Sequence, residues 1–258
     1  MIILKTDQEI EQIRESSLLV GKTLAEVARL IMPGALTKDL DRVAETFIRD
    51  YKAVPGFKGY NGFPSTLCIS INDEVVHGIP GDRVLKNGDV VSVDCGVLLN
   101  GYYGDSAYTF ACGEVKDSYL KLMEATKESL YQGIQVSIAG NRVGDIGFAV
   151  QRYVENLGYS VVRDLVGHGL GRNLHEKPEV PNYGQKGDGP LLKEGMVICI
   201  EPMINYGKRG VTQDPDGWTI RTRDKLPSAH YEHAIAIRKD KAEVLSSFDE
   251  IELILNKQ

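Results

Sequence analysis

The chain has 258 residues, of which 36 are acidic and 30 basic, so its formal net charge is −6. Hydrophobic residues make up 42% and charged residues 26%, as in an ordinary soluble globular protein. This composition excludes a collagen, a disordered chain and a disulfide scaffold, and the acidic balance argues against a nucleic-acid binder, which is usually basic.

Targeting signals and cysteine spacing both favour a cytoplasmic protein. Apolar runs stay well short of the ~20 residues that span a membrane. The apolar start, Met1 to Leu4, turns charged too soon for a signal peptide. The cysteines form no CxxC pair and no zinc-finger spacing. We therefore expect reduced, mostly buried thiols at Cys68, Cys95, Cys112 and Cys199.

Helical patterns open each half of the chain. Thr6 and Glu9 can form a capping box, after which apolar residues recur at steps of three and four as far as Ile31. Pro33-Gly34 then ends the pattern, and Thr37 is placed to cap a second helix. Similar helical patterns mark residues 120–134 and 143–154, and strand-like runs follow the helices in each half.

A hairpin is the sharpest local prediction. Asn100-Gly101 between strand-like runs is a strong two-residue turn signal, and it places Gly96 opposite Asp105. Asp94 then lies on the same face as Asp105, as a diagonal neighbour about 7–8 Å away at Cα. Two anions at this place need a shared proton, a basic partner or metal ions.

The chain also contains a repeat. Leu85 to Asp94 resembles Leu192 to Glu201, since both read Leu-Lys-x-Gly, an apolar run and a carboxylate, at an offset of 107 residues. Gly34 matches Gly140 at an offset of 106. Two hits in the same order predict a duplicated α/β unit, with halves at roughly 10–117 and 118–250.

Further candidate ligands follow in the second half. His168 lies in a glycine-rich loop with His175 downstream, Glu201 follows a buried-type strand at the duplicate of the Asp94 position, and Glu232 lies in a late strand. Each of these residues alone would be an ordinary surface or core group. Together they form an oxygen-rich set with one imidazole, which suits two divalent ions bridged by carboxylates about 3.5–4 Å apart. The set is Asp94, Asp105, His168, Glu201 and Glu232.

At this point the residues resemble a known family. The order Asp-Asp-His-Glu-Glu, the Gly-His-Gly-Leu-Gly around His168 and the Ile-Glu-Pro-Met at Glu201 are similar to type I methionine aminopeptidases of the bacterial type. The resemblance runs from about residue 8 to residue 246, and it includes the segments 60–64, 72–80, 216–219 and 231–233. It implies an α+β protein with the pita-bread fold. In this fold, two pseudo-twofold-related α/β halves surround a central antiparallel sheet in a single catalytic domain, here residues 1–258.

The family resemblance also implies an activity and its cofactors. The implied reaction is removal of the N-terminal methionine from nascent proteins and peptides that have a small second residue. Two divalent ions (Co, Mn, Fe or Zn) would activate the attacking water. One ion would be held by Asp94, Asp105 and Glu232. The other would be held by Asp105, His168, Glu201 and Glu232.

Roles for the remaining site residues come from the same resemblance. Glu201 matches the general base, and His77 and His175 match histidines that contact the substrate and stabilise the tetrahedral intermediate. Asn72 and Ser228 match a monovalent-ion site, for which ordinary loop hydrogen bonding is the alternative. The substrate pocket matches Tyr60, Phe63, Cys68, His77, His175 and Trp218.

Two positions depart from the family form, and other readings stay open. Phe57 stands where a small residue can occur and Leu174 where an aromatic can occur, which affects the pocket rim. His230 and His233 are expected at the surface or beside the metal ligands. The resemblance implies a monomer with transient ribosome contact, no nucleic-acid specificity and no membrane association. The basic residues that could dock are Lys208, Arg209, Arg221, Arg223 and Lys225.

The other candidate activities are less favoured by the sequence. Prolidase and aminopeptidase P share the five ligands but carry an additional N-terminal domain, for which we expect no room here. A binding module that has lost catalysis is disfavoured by the intact ligand set. A structural metal site without turnover is disfavoured by His77, His175 and the pocket aromatics.

Overall fold

Helices and antiparallel strands alternate along the chain in this computed structural model, which describes residues 1–256. The helices are α1 (Asp7–Ala28), α2 (Thr37–Asp50), α3 (Asp117–Gln135), α4 (Val143–Asn156) and α5 (Asp249–Leu255). The strands are β1 (Val54–Pro55), β2 (Leu67–Ile71), β3 (Glu74–Val76), β4 (Asp89–Leu99), β5 (Tyr102–Cys112), β6 (Ser160–Val161), β7 (Gly167–Gly169), β8 (Glu176–Val180), β9 (Val197–Ile200), β10 (Met203–Asn205), β11 (Val211–Gln213), β12 (Ile220–Thr222), β13 (Ser228–His230), β14 (His233–Ala236) and β15 (Glu243–Val244). Among the described residues, the structure has no helix with the length and apolar character needed to cross a membrane.

The first two helices confirm most of the sequence prediction and correct two details. The Thr6–Glu9 capping box is present at the start of α1. The helix ends at Ala28 rather than Ile31, because the amide of Ile31 bonds to the carbonyl of Ala28 in a tighter turn. Thr37 is the first residue of α2 and not its cap, since its hydroxyl exchanges hydrogen bonds with the main chain of Gly81.

Two sheets carry the residues of interest. In the first, β4 pairs with β1, β2 and β5, and the second has the order β15-β14-β9-β7-β8. The β4–β5 hairpin has the predicted register, with Gly96 opposite Asp105. Its turn residues Asn100 and Gly101 both have positive φ, at 52° and 80°, as a type I′ turn requires.

The two halves meet along a seam of polar groups between β5 and residues 230–232. The Glu232 amide donates to the Ala107 carbonyl at 2.9 Å, and the Ser106 hydroxyl donates to the Glu232 carbonyl at 2.7 Å. The Thr109 hydroxyl donates to the His230 carbonyl at 2.6 Å and accepts from the His230 amide at 2.9 Å. These bonds fix the position of Glu232 relative to Asp105, which precedes Ser106.

The main chain makes the same hydrogen bonds at the two copies of the repeat. Gly34 donates to the Leu85 carbonyl at 2.8 Å, and Gly140 donates to the Leu192 carbonyl at 3.0 Å. Both glycines have a positive φ, at 98° and 99°. These matched bonds support the predicted duplication, which stays a prediction.

Close packing of α1 on β5 gives a first test. A Cβ on Gly104 would lie 2.3 Å from the Ser17 nitrogen and 2.4 Å from the Ser16 carbonyl carbon. Since these are main-chain atoms, we expect Gly104→Ala to lower the free energy of unfolding by about 1–3 kcal/mol. Urea unfolding of the purified protein measures it.

The matched control for that variant is Gly81→Ala. A Cβ on Gly81 has no heavy atom within 4 Å, and its φ is not positive. This variant should therefore change the free energy of unfolding by less than about 1 kcal/mol. Equal losses in the two variants would contradict the packing argument.

Candidate metal centre

Asp94 and Asp105 lie on one face of the β4–β5 hairpin, as the sequence predicts. Asp94 is opposite Ala107 and Asp105 is opposite Gly96, so the two carboxylates are diagonal neighbours. Asp105 is only 3% exposed and Asp94 is half-buried. The Oδ1 atom of each is buried without a hydrogen-bond partner. Two unsatisfied carboxylate oxygens on one face indicate that a cation belongs between them.

His168 faces the same carboxylates from β7. Its Nε2 lies 3.7 Å from the Asp105 Oδ2 and 3.6 Å from the Glu201 Oε1. Its Nδ1 lies 3.0 Å from the Gly169 carbonyl oxygen, so the proton belongs on Nδ1 and the Nε2 lone pair faces the cluster. Burial, followed by the nearby His175, lowers the pKa of His168 to about 3. The ring is therefore neutral at pH 7, as a metal ligand must be.

Glu201 and Glu232 complete the cluster from the second half. Glu201 follows β9, and Glu232 lies between β13 and β14 with 2% of its surface exposed. Burial is the main cause that raises the pKa of both carboxyl groups, and repulsion from neighbouring carboxylates adds to it. The same causes raise the pKa of Asp105, while burial raises that of Asp94 to about 7. The Glu232 Oε1 is a third buried oxygen without a partner.

The donor set fits divalent metal ions. Potential ligand atoms of Asp105, His168, Cys199 and Glu232 all lie within 4.8 Å of one another. Carboxylate oxygens with one imidazole suit hard to borderline divalent ions, and three partnerless oxygens need positive charge. Cys199 was not among the metal-site residues predicted from the sequence. Strand alternation could have found it, because it lies two residues before Glu201 and so shares its face.

A cavity of about 290 Å³ opens beside the carboxylates. Four aromatic side chains line it, Phe57, Tyr60, Phe63 and Trp218, and the Trp218 ring packs edge-on against Phe63 with centroids 5.1 Å apart. Phe57 and Leu174, the two departures from the family form, also line it. Every residue predicted for the substrate pocket lines this cavity, namely Tyr60, Phe63, Cys68, His77, His175 and Trp218.

The two histidines at the mouth of the cavity are held differently. His175 pairs through Nδ1 with the Tyr60 hydroxyl at 2.8 Å, and its ring centroid lies 4.3 Å from that of His168. His77 has a φ of 60°, a left-handed conformation that is uncommon for a non-glycine residue and is often found at functional sites. Burial, followed by His175, lowers the pKa of His77 to about 4, so its ring is neutral at pH 7.

Asn72 and Ser228 lie next to each other but do not line the cavity. The Ser228 amide donates to the Asn72 carbonyl at 2.9 Å. The Asn72 side chain donates to the Asp89 Oδ1 at 2.8 Å and accepts from the Val90 amide at 2.9 Å. The side-chain amide of Asn72 is thus engaged in hydrogen bonds, and the monovalent ion stays a prediction.

The expectation that His230 and His233 could lie at the surface is wrong. They are 1% and 2% exposed, at the end of β13 and the start of β14. The His230 Nε2 lies 3.7 Å from the Glu201 Oε2, so it is a neighbour of a ligand. The His233 Nδ1 pairs with the Ser246 hydroxyl at 2.7 Å, and its ring stacks on Phe248.

Comparison with known proteins identifies the family. The model of metallopeptidase family M24 matches residues 11–239. A methionine aminopeptidase of Clostridium acetobutylicum is 51% identical over 247 residues, which cover 95% of this chain and 99% of that protein. The chain belongs to the methionine aminopeptidases of family M24. Methionine aminopeptidase 1 of Bacillus subtilis is 50% identical, with 95% and 99% of the two chains covered.

The solved structures agree with this family. The crystal structure of methionine aminopeptidase from Rickettsia prowazekii matches with a TM-score of 0.94 at 42% identity, covering 96% of this chain and 100% of that one. The α+β chain therefore has the pita-bread fold of its family. As a methionine aminopeptidase of family M24, it is a metal-dependent hydrolase.

The raised carboxylate pKa values predict how divalent metal binding depends on pH. Protons compete with the ion for these carboxylates, whereas His168 with a pKa of about 3 carries no competing proton above pH 6. We expect the apparent affinity for Mn²⁺ to fall by about tenfold per pH unit for each proton displaced, between pH 8 and pH 6. Calorimetric titration of chelator-treated protein in two buffers of different ionisation enthalpy measures affinity and proton release together.

Asp94→Asn provides the matched comparison for that titration. The pKa of Asp94 is raised to about 7, so its removal should reduce the number of protons released at pH 7. An affinity that does not change with pH in the unsubstituted protein would show that the carboxylates are already ionised.

Proposed function

We propose that this protein removes the N-terminal methionine from nascent proteins and peptides whose second residue is small. The proposal rests on one observation: apolar and aromatic side chains line the same cavity as the carboxylate–histidine cluster. The cavity has room for one side chain of moderate size, and the cluster lies where the first peptide bond would follow. The family resemblance implies little space for the second residue beside the cluster.

The cavity chemistry suits a thioether side chain. Phe63 and Trp218 present ring edges and faces, and Cys68 is buried in β2 opposite Asp94. Methionine sulfur interacts favourably with aromatic rings, by about 0.3–1.5 kcal/mol per contact. Binding the side chain here would place the substrate's first carbonyl beside Glu201 and His168, which line the same cavity.

Two divalent ions are part of the proposal, drawn from Co, Mn, Fe and Zn. Asp94, Asp105 and Glu232 would hold one, while Asp105, His168, Glu201 and Glu232 would hold the other. When bound, such ions lower the pKa of the attacking water and polarise the scissile carbonyl. Glu201 then accepts the proton of the water and passes it to the leaving amine.

The two histidines at the mouth act on the substrate. Because Nδ1 of His175 is paired with Tyr60, its Nε2 is left to contact the substrate. His77 is neutral at pH 7 and can donate one hydrogen bond to the oxyanion of the tetrahedral intermediate. Such donors typically change kcat by about 10²–10³-fold.

The cellular setting is proposed on the same basis. A nascent-chain substrate is met in the cytoplasm at the ribosome, so we propose that the protein acts there, as a monomer in transient contact with the ribosome. Lys208, Arg209, Arg223 and Lys225 are exposed and can face ribosomal phosphates. Arg221 is excluded from these docking residues, because its charge is paired with Asp73, Glu74 and Asp214. The bonded pair of Asn72 and Ser228 is the proposed monovalent-ion position.

Three peptides test the substrate. With Mn²⁺ or Co²⁺ restored after chelation, we expect methionine release from Met-Ala-Ser and little from Met-Leu-Ser, because the family resemblance implies little space for a leucine beside the cluster. Ala-Pro-Ser tests the Xaa-Pro activity of related folds and should stay intact. Chromatography of the products measures all three. Cleavage of Ala-Pro-Ser, or turnover that survives metal removal, would overturn the proposal.

Glu201→Gln tests the proposed base. The substitution keeps the side-chain shape but removes the group that accepts the proton, so kcat for Met-Ala-Ser should fall by about 10²–10⁴-fold. Circular dichroism should show an intact fold. Glu179→Gln, on the exposed face of β8, is the control and should keep its activity. Normal turnover by Glu201→Gln would assign the base to another group.

A further inference from the structure

Lys5 is a buried ammonium group that lies outside the cavity and the carboxylate cluster. Its Nζ lies 2.5 Å from the Glu176 Oε2, and the two side chains are only 4% and 6% exposed. A buried charge is tolerated when it is paired, and removal of one partner of such a pair is strongly destabilising because the other charge stays buried without compensation. The partner, Glu176, follows His175 directly in the chain. The ion pair thus joins the start of the chain to a residue beside the mouth of the cavity.

Residues 170–175 form the loop between β7 and β8, with His168 just before it and His175 at its end. This loop rests directly on the ion pair. A Cβ on Gly171 would lie 2.6 Å from both the Glu176 Oε1 and the Lys5 Cε. The main chain at Gly171 therefore packs directly against the pair, and a larger residue at this position would displace the ends of Lys5 and Glu176.

Both oxygens of Glu176 are used in holding the loop. While Oε2 pairs with Lys5, Oε1 accepts a hydrogen bond from the Asn173 amide at 3.2 Å. The Gly171 carbonyl accepts from the Tyr103 amide at 2.8 Å, which ties the loop to β5 near Asp105. An unpaired Glu176 would be drawn towards water, and it would take the Asn173 amide with it.

Lys5 is itself fixed by its main chain. Its amide donates to the Gly195 carbonyl at 2.6 Å, close to the start of β9, and the next residue, Thr6, caps α1. The backbone of Lys5 is therefore fixed, and its ammonium group contacts the loop. The ion pair is thus a side-chain contact that holds the loop in addition to its main-chain bonds.

We propose that Lys5 is a positioning residue for His175, because its buried ion pair with Glu176 holds the loop 170–175 in place. The proposal rests on the substrate contact that the proposed function gives to His175. Lys5 has no contact with the substrate in this account, and its effect on turnover passes through the loop. A residue that only stabilised the fold would lower the unfolding temperature without acting through His175.

A double-mutant cycle between Lys5 and His175 separates these two roles. Lys5→Met keeps the length of the side chain and leaves Glu176 unpaired. We expect kcat for Met-Ala-Ser to fall by about 10–100-fold, since a displacement of about 1 Å can cost this much, with KM changed far less. His175→Ala should show a loss of its own, and Lys5→Met should add almost nothing in that background. Losses that multiply, or full kcat in Lys5→Met, would overturn the proposal.

Two further variants supply the rescue and the control. In Lys5→Met/Glu176→Gln both charges are gone, and the glutamine Oε1 can still accept from the Asn173 amide, so kcat should recover part of its loss. Lys127→Met breaks a different ion pair, that of Lys127 with Glu252 between α3 and α5, and should leave kcat within about twofold. A failure of the double variant to recover any kcat counts against the proposal. If Lys5→Met does not fold, the double-mutant cycle with His175→Ala is measured with Lys5→Met/Glu176→Gln in its place.

Hydrogen exchange tests whether the ion pair holds the loop, independently of the proposed function. The Asn173 amide should exchange faster in Lys5→Met than in the unsubstituted protein and in Lys127→Met. If His175→Ala retains full activity, the proposed role of His175 fails, and with it the effect on turnover. The exchange rate of the Asn173 amide then still tests whether the ion pair holds the loop. An unchanged rate in Lys5→Met would show that it does not.

Discussion

Repulsion among four carboxylates that share one small, largely buried space is the constraint that the rest of the structure satisfies. Asp94, Asp105, Glu201 and Glu232 arrive from both halves of the chain, and burial raises the pKa of each. Such a cluster is unfavourable for the protein alone, and the orphaned oxygens show that protein donors do not compensate it. Bound divalent metal would replace this repulsion by attraction to carboxylates from both halves. Folding and metal binding are therefore two parts of one free-energy balance.

The framework around the cluster is built to hold this arrangement. The hairpin register fixes Asp94 against Asp105, and the hydroxyls of Ser106 and Thr109 fix β5 against residues 230–232. Each tie is a main-chain bond or a short hydroxyl bond, so the backbone positions of the ligands are fixed relative to one another. The cavity then lies beside carboxylates that both halves of the chain bring to one place.

Much of the site could be predicted from the sequence because its signals are local. Turn chemistry at Asn100-Gly101 fixes the register, and the register places the two aspartates. The capping box at Thr6 and the helical patterns are local in the same way. The second-half partners were collected from their residue types and from the repeat, and the family resemblance then gave each of them a role.

What could not be predicted depends on contacts between distant segments. The buried His230 is bonded to Thr109 and the buried His233 packs on Phe248, and sequence neighbours show neither contact. The Lys5–Glu176 pair joins residues 171 positions apart. Thr37 looks like a helix cap in the sequence, but Gly81 claims its hydroxyl from another part of the chain.

The Phe57 ring constrains which residues can occupy position 96. A Cβ on Gly96 would lie 2.5 Å from Cε1 of that ring, so the aromatic side chain occupies the space that any larger residue at position 96 would need. The two positions are separated by 39 places in the chain but share one volume. An alanine at position 96 would therefore require the Phe57 ring to move. A smaller residue at position 57 would leave that space open, so we expect the effects of substitutions at the two positions to be coupled.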